Sequence, residues 1–249
     1  MKTNRIFSLL LLLNLMLLGL INPAIADNRQ EKARSTNFGL PTHRRDGGSR
    51  GSKDSCVADL EYQKLMALIP QKTIGLSAST APKLFFYVPE LENQSTLEFV
   101  LRDESDDLMY EAFLTTEGDG IVRIEIPSEI SEQMLVTDKN YHWYLSMICD
   151  RRERSRDIVV EGWMRQESLD TAVRERLLNA TLVEKAEVYQ EQGFWFDALS
   201  TLAEKPNSIT EKTMMRQKWS EMLSAIGLAE LSAEPMVETE LVSNPTESW

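Results

Sequence analysis

From Ile74 to Met164 apolar and polar residues alternate with a period of two, and no other feature limits the fold as strongly. A two-residue period places every second side chain on one face of an extended strand. Stretches like this, separated by turn residues, belong to antiparallel sheets with one face buried. The pattern predicts strands at 74–78, 84–88, 96–103, 108–116, 121–126, 141–149 and 157–164. In the third, Leu97, Phe99 and Leu101 alternate with Glu98 and Arg102, and Tyr141, Trp143, Leu145, Met147 and Cys149 share one face of the sixth. Glu117-Gly118-Asp119-Gly120 reads as a turn. Leu135, a polar turn and Tyr141 opening a strand resemble the tyrosine corner of immunoglobulin-like domains. The expectation is an immunoglobulin-like antiparallel β-sandwich over 56–166, with a short helix at 58–69 that Pro70 ends.

At Ser168 the period becomes helical. One helix is expected from Ser168 through Val173, Leu177, Leu182, Ala186 and Tyr189 to a break at Gly193. A second covers 194–204 and stops before Pro206, and a third covers 211–226 and stops at Gly227. Leu182, Ala186, Tyr189, Gly193, Ala198 and Leu202 resemble a single tetratricopeptide (TPR) hairpin, with no second copy to build a groove. The fold class is therefore α+β: a sandwich, then a helical region over 167–228 made of a TPR-like hairpin and one more helix. Residues 229–249 are acidic with two prolines and read as a disordered tail.

The N-terminus assigns the compartment. Lys2 and Arg5 precede an apolar run, Ile6 to Ile21, and Ala24-Ile25-Ala26 follows Asn22-Pro23. That order is a secretory signal peptide, so 1–26 is removed and the mature chain starts at Asp27. The product is expected to be exported, to periplasm or exterior, without a stable membrane anchor. The whole chain has 27 Lys/Arg against 39 Asp/Glu, and losing Lys2 and Arg5 takes the net charge from −12 to −14. An acidic chain of this kind is not a nucleic-acid binder. Residues 27–55 oppose that charge: seven basic residues against four acidic ones, few large apolar groups, and a flexible Gly47-Gly48-Ser49-Arg50-Gly51. In an oxidising compartment, Cys56 and Cys149 suggest one disulfide, two buried thiols being the alternative.

No residue set carries recognisable chemistry. Arg44, Arg45 and Arg50 among glycines suit an oxyanion such as phosphate, sulfate or a carboxylated sugar, or simply pin a flexible linker to an acidic face. Asp103, Glu104, Asp106 and Asp107 have oxygen ligands for calcium but not the D-x-D-x-D-G spacing. His142 has no positioned nucleophile in its neighbourhood and reads as a half-buried structural residue. Trp143, Trp163, Trp195, Trp219 and Tyr144 form either a sugar-stacking platform or core. No catalytic residue, metal ligand or cofactor is assigned. The expected function is a non-enzymatic envelope interaction module that binds a protein or an anionic glycan. A carbohydrate hydrolase with an unrecognised carboxylate site, or a calcium-stabilised structural module, is the alternative.

Several short motifs occur in a distinctive order: Gly39-Leu40-Pro41-Thr42, Arg44-Arg45, Ala67-Leu68-Ile69-Pro70, Phe85-Phe86-Tyr87-Val88-Pro89, Tyr141-His142-Trp143-Tyr144, Gly162-Trp163 and Gly193-Phe194-Trp195-Phe196-Asp197-Ala198-Leu199. Over Phe38 to Leu228 this order resembles a cyanobacterial family catalogued only as a domain of unknown function, number nine hundred and twenty-eight. The resemblance implies a cyanobacterial exported or envelope protein. It implies no activity and no catalytic residue.

Overall fold

The structure, a computed structural model, describes residues 65–242. Residues 1–26, expected to be a signal peptide, and Cys56, Arg44, Arg45 and Arg50 lie outside the described residues. The protein is α+β. Strand β1 (Met66–Ala67) is followed by β2 (Ile74–Ser77), β3 (Lys83–Arg102), β4 (Leu108–Glu125), helix α1 (Ser128–Met134), β5 (Asn140–Ile148) and β6 (Ile158–Gln166). Then come α2 (Thr171–Leu178), α3 (Leu182–Gln192), α4 (Trp195–Leu202), α5 (Ile209–Ala225) and β7 (Glu240–Leu241). The ladder runs β2-β6-β5-β3-β4-β7, and β1 joins the first half of β3.

One ladder forms two layers because its central hairpin is folded double. Phe86 and Phe99 stand 13 residues apart on β3, about 43 Å on a straight strand. Their ring centroids are 6.5 Å apart. The strand therefore turns back between them, where the β3–β4 register shifts between Glu90 and Ser95. Opposite that bend, Gly118 and Asp119 adopt positive φ, 76° and 58°. The 117–120 stretch expected to be a turn is this bend, and four expected strands are the halves of two long ones. One layer is β1 with the near halves of β3 and β4. The other is β2, β6 and β5 with the far halves.

Buried residues alternate as the period predicts. Tyr141, Trp143, Leu145 and Met147 are buried on β5, and Leu97, Phe99 and Leu101 on β3. The corner is also present: the Tyr141 hydroxyl accepts a 2.7 Å bond from the Val136 amide, and Leu135 is buried beside it. Tyr141→Phe strands that amide and is expected to cost about 1–2 kcal/mol in urea unfolding. A loss near zero would mean the hydroxyl has no structural part.

Several expectations are corrected. The sheet is not wholly antiparallel, since β2 runs parallel to β6. Residues 65–69 are extended and buried rather than helical, because Met66 and Ala67 pair with Tyr87 and Phe86. The helix expected from Ser168 is two helices. Thr181 and Glu184 form a capping box that starts α3 afresh, and a helix start competes with continuation from α2. Gly193 ends α3 at φ 85°. The expected disordered tail is ordered through Val242. Leu228 and Leu231 are buried, and β7 pairs with Leu114 and Thr115. Its acidic composition hid these apolar anchors. Residues 243–249 lie outside the described residues.

The helices cover the layer containing β1. Trp219 of α5 packs edge-on to Phe85 at 5.8 Å, and the Trp195 indole N–H donates to the Leu68 carbonyl at 2.7 Å. Phe196 of α4 reaches across to β2 of the other layer and lies against Gly75, where a Cβ would stand 2.2 Å from the ring.

Candidate functional site

The helices leave the outer face of the other layer uncovered by any described helix, and alternation sends a distinct set of side chains there. Opposite the core row of β5 stand His142, Tyr144 and Ser146. Their register neighbours are Arg102, Val100 and Glu98 on β3, and Trp163, Glu161 and Val159 on β6. His142 stacks on Trp163 with ring centroids 4.3 Å apart and planes 13° apart. Its Nδ1 lies 2.8 Å from the Tyr144 hydroxyl, and its Nε2 lies 3.1 Å from a Glu161 carboxylate oxygen. A neutral imidazole that accepts from Tyr144 at Nδ1 carries its proton on Nε2, which faces the Glu161 carboxylate at contact distance without an aligned hydrogen bond. Burial holds the His142 pKa below its usual value, against the opposing pull of Glu161.

Around this cluster the face is mixed. Val159 and Leu108 are exposed, and Val100 and Tyr144 are half-buried. Arg154 bridges the carboxylates of Glu98 and Asp157. The acidic turn is a hairpin loop with its carboxylates engaged. Asp103 accepts from the Ser105 and Asp107 amides, Arg102 pairs with Asp106, and Glu104 accepts from the Asn140 side chain. Among the described residues, no three His, Cys, Asp or Glu side chains gather as a metal site.

The structure thus sorts the aromatic candidates. Trp143, Trp195 and Trp219 belong to the central core, whereas Trp163, equally buried, and half-buried Tyr144 pack with buried His142 on the outer side of the sheet. Cys149 is not a free thiol. Two features lacked a sequence signal of their own. Asp197 is buried on α4, and its carboxylate accepts from the Ala78 amide at 2.9 Å and from Ser79 and Ser77, tying α4 to the end of β2. Burial raises its pKa to about 6. A cleft of about 590 Å³ lies between β4, the start of α1 and the 236–241 segment.

A β-sandwich with a helical cover and a polar-aromatic outer face is the class of protein these features define. Over residues 45–236 the chain matches the family described as Domain of Unknown Function (DUF928), and it belongs to that family. No curated protein and no solved structure is significantly similar to it.

Proposed function

We propose that the protein is an exported, non-enzymatic interaction module of a cyanobacterial envelope, binding another protein through the outer face of the β2-β6-β5-β3-β4 layer. The observation that carries this reading is the patch of exposed Val159 and Leu108 with half-buried Val100 and Tyr144, seated on the buried His142–Trp163 stack and bordered by Glu161. Aromatic anchors within a rim of charges are the usual composition of protein-binding surfaces. Export rests on the signal-like residues 1–26, and no helix among the described residues is long and apolar enough to cross a membrane.

The finer fold reading belongs here too. An immunoglobulin-like topology is supported by the Tyr141 corner and by the parallel pairing of β2 with the late strand β6. The TPR-like reading of α3 and α4 is supported by Ala186 and Ala198, both fully buried, and by the Tyr189–Phe194 contact. A Cys56–Cys149 disulfide is supported by Cys149 being bonded in a chain with two cysteines. Alkylation of the native protein is expected to label neither cysteine until a reductant is added. Labelling of either one beforehand overturns the bridge.

The binding test is a photo-crosslinking residue at position 100 or 159, in the full chain expressed in its native envelope. A discrete protein adduct is expected, lost in Val159→Glu with the melting temperature unchanged. No adduct at either position, or turnover of a glycan by the purified chain, would sink this reading. An anionic glycan is the second reading, carried by Arg44, Arg45 and Arg50. It predicts a melting shift with sulfated or phosphorylated cell-wall fragments, absent in the triple alanine variant.

A further inference from the structure

The cleft beside β4 contains a sheet edge whose backbone groups are free. Ile121 donates its N–H to the Pro235 carbonyl at 2.7 Å, and its carbonyl accepts from the Val237 N–H at 2.9 Å. Both bonds point away from β3. Ile126 points the other way, donating to the Pro82 carbonyl at 2.9 Å. Backbone groups along a strand alternate between its two neighbours. Arg123 and Glu125 therefore share the direction of Ile121, away from β3 and along the cleft. Among the described residues, neither backbone has a partner there.

The 235–242 segment crosses between the two folded halves of β4 and leaves the Arg123–Glu125 stretch of the near half unpaired on that side. It pairs with Ile121 in the near half and with Leu114 and Thr115 in the far half. Gly120 is fitted to this segment, for a Cβ there would lie 2.6 Å from the Pro235 carbonyl oxygen. Met236 and Leu241 stay 48% and 66% exposed, so apolar side chains border the cleft without being buried by it. Glu129 and Glu238 add carboxylates to its rim. With Glu125, three carboxylates line the cleft against the single cation Arg123 among the described residues, and residues 65–242 as a whole carry 17 Lys/Arg against 32 Asp/Glu.

We propose that this cleft accepts an extended, basic peptide segment of a partner protein, added as a strand to the free edge at Arg123 and Glu125. The inference rests on the reading of the protein as an interaction module, but assigns it a second surface. Strand addition draws affinity from main-chain hydrogen bonds and specificity from pockets for alternate side chains. Here alternate apolar residues meet Met236 and Leu241, and the basic residues between them meet Glu129 and Glu238. The charged side chains of Arg123 and Glu125 discourage the indiscriminate edge pairing that leads to aggregation.

The test uses the full mature chain and a seven-residue peptide of alternating lysine and valine, with a glutamate–valine peptide as control, in isothermal titration. The basic peptide is expected to bind and the acidic one not. Arg123→Pro removes one edge N–H at a position where an edge strand tolerates proline, and is expected to weaken binding at least tenfold. Glu129→Lys with Glu238→Lys leaves the backbone intact and is expected to weaken it similarly, which keeps the test valid if the proline variant unfolds. Failure of the basic peptide to bind, equal binding of the acidic peptide, or unchanged binding in both variants overturns the proposal. So does a dimer in sedimentation that Arg123→Pro abolishes, since the edge would then serve a second copy. Cross-links from positions 100 and 159 are independent of all these outcomes, so the two readings fail separately.

Discussion

Asp197→Ala is expected to lower stability by about 2–4 kcal/mol and to change how stability responds to pH. The carboxylate accepts from the Ala78 and Ser79 amides and the Ser77 hydroxyl from a buried position. Removing it leaves the half-buried Ala78 amide and the buried Ser77 hydroxyl without this acceptor, at roughly 1–3 kcal/mol for each buried group left unpaired, and opens a cavity in the packed helix face. The loss falls on the junction between α4 and β2, so the helices should become the first part to exchange amide hydrogens. The pH effect has a definite sign. The folded-state pKa lies near 6, raised from an ordinary 3.8 chiefly by desolvation and only partly lowered by the hydrogen bonds. The folded protein therefore holds this proton more tightly than the unfolded chain. The stabilisation from Asp197 protonation is full below about pH 4 and is lost as pH rises through 6, an amount of about 3 kcal/mol. Urea titrations at pH 4.5 and 7.5 should show a larger gap between wild type and variant at the lower pH. A gap that does not change with pH would mean Asp197 is ionised throughout.

Trp143→Ala is expected to be the most destabilising single truncation, at about 3–5 kcal/mol. The side chain is fully buried between the two layers, edge-on to Phe86 at 5.4 Å. Its ring also fills the space above Gly162, where a Cβ would lie 2.3 Å from the indole. The cavity left by alanine is bounded by backbone on that side, and a β-ladder cannot move inward to close it. The melting temperature should fall by roughly 10 °C or more for a domain of this size. A loss under about 1 kcal/mol would show that the layers close over the vacancy. Gly162→Ala presses on the same contact from the opposite side and should be destabilising as well.

The sandwich was legible because burial on one face leaves a two-residue period in any strand that has it. Alternation put Trp143 and Tyr141 on one face with Leu145 and Met147, although it left Trp143 open between core and a stacking platform, and the helices α3 to α5 followed from their own period and from Gly193, Pro206 and Gly227. The break at Thr181 was legible only in part. Its capping box is visible as Thr181 and Glu184, but the apolar spacing runs through it and suggested one continuous helix. The outer-face cluster was half legible. Alternation placed His142 and Tyr144 opposite the core row, but the pairing with Glu161 and Trp163 is a matter of register between β5 and β6, which no local pattern encodes.

The amino-acid sequence by itself determined the extended segments from 74 to 164 and the helices from 182 to 225, which face of each is buried, and the charge opposition between residues 27–55 and the rest. It did not determine the extended state of 65–69 or the presence of α1. What it determined follows from short-range periodicity and composition. Tertiary structure alone decided that β3 and β4 fold double, that β2 runs parallel to β6, that Asp197 lies under the end of β2, and that the acidic C-terminal segment pairs with β4. Each of these depends on contacts between residues far apart in the chain, where packing and backbone pairing outweigh local preference.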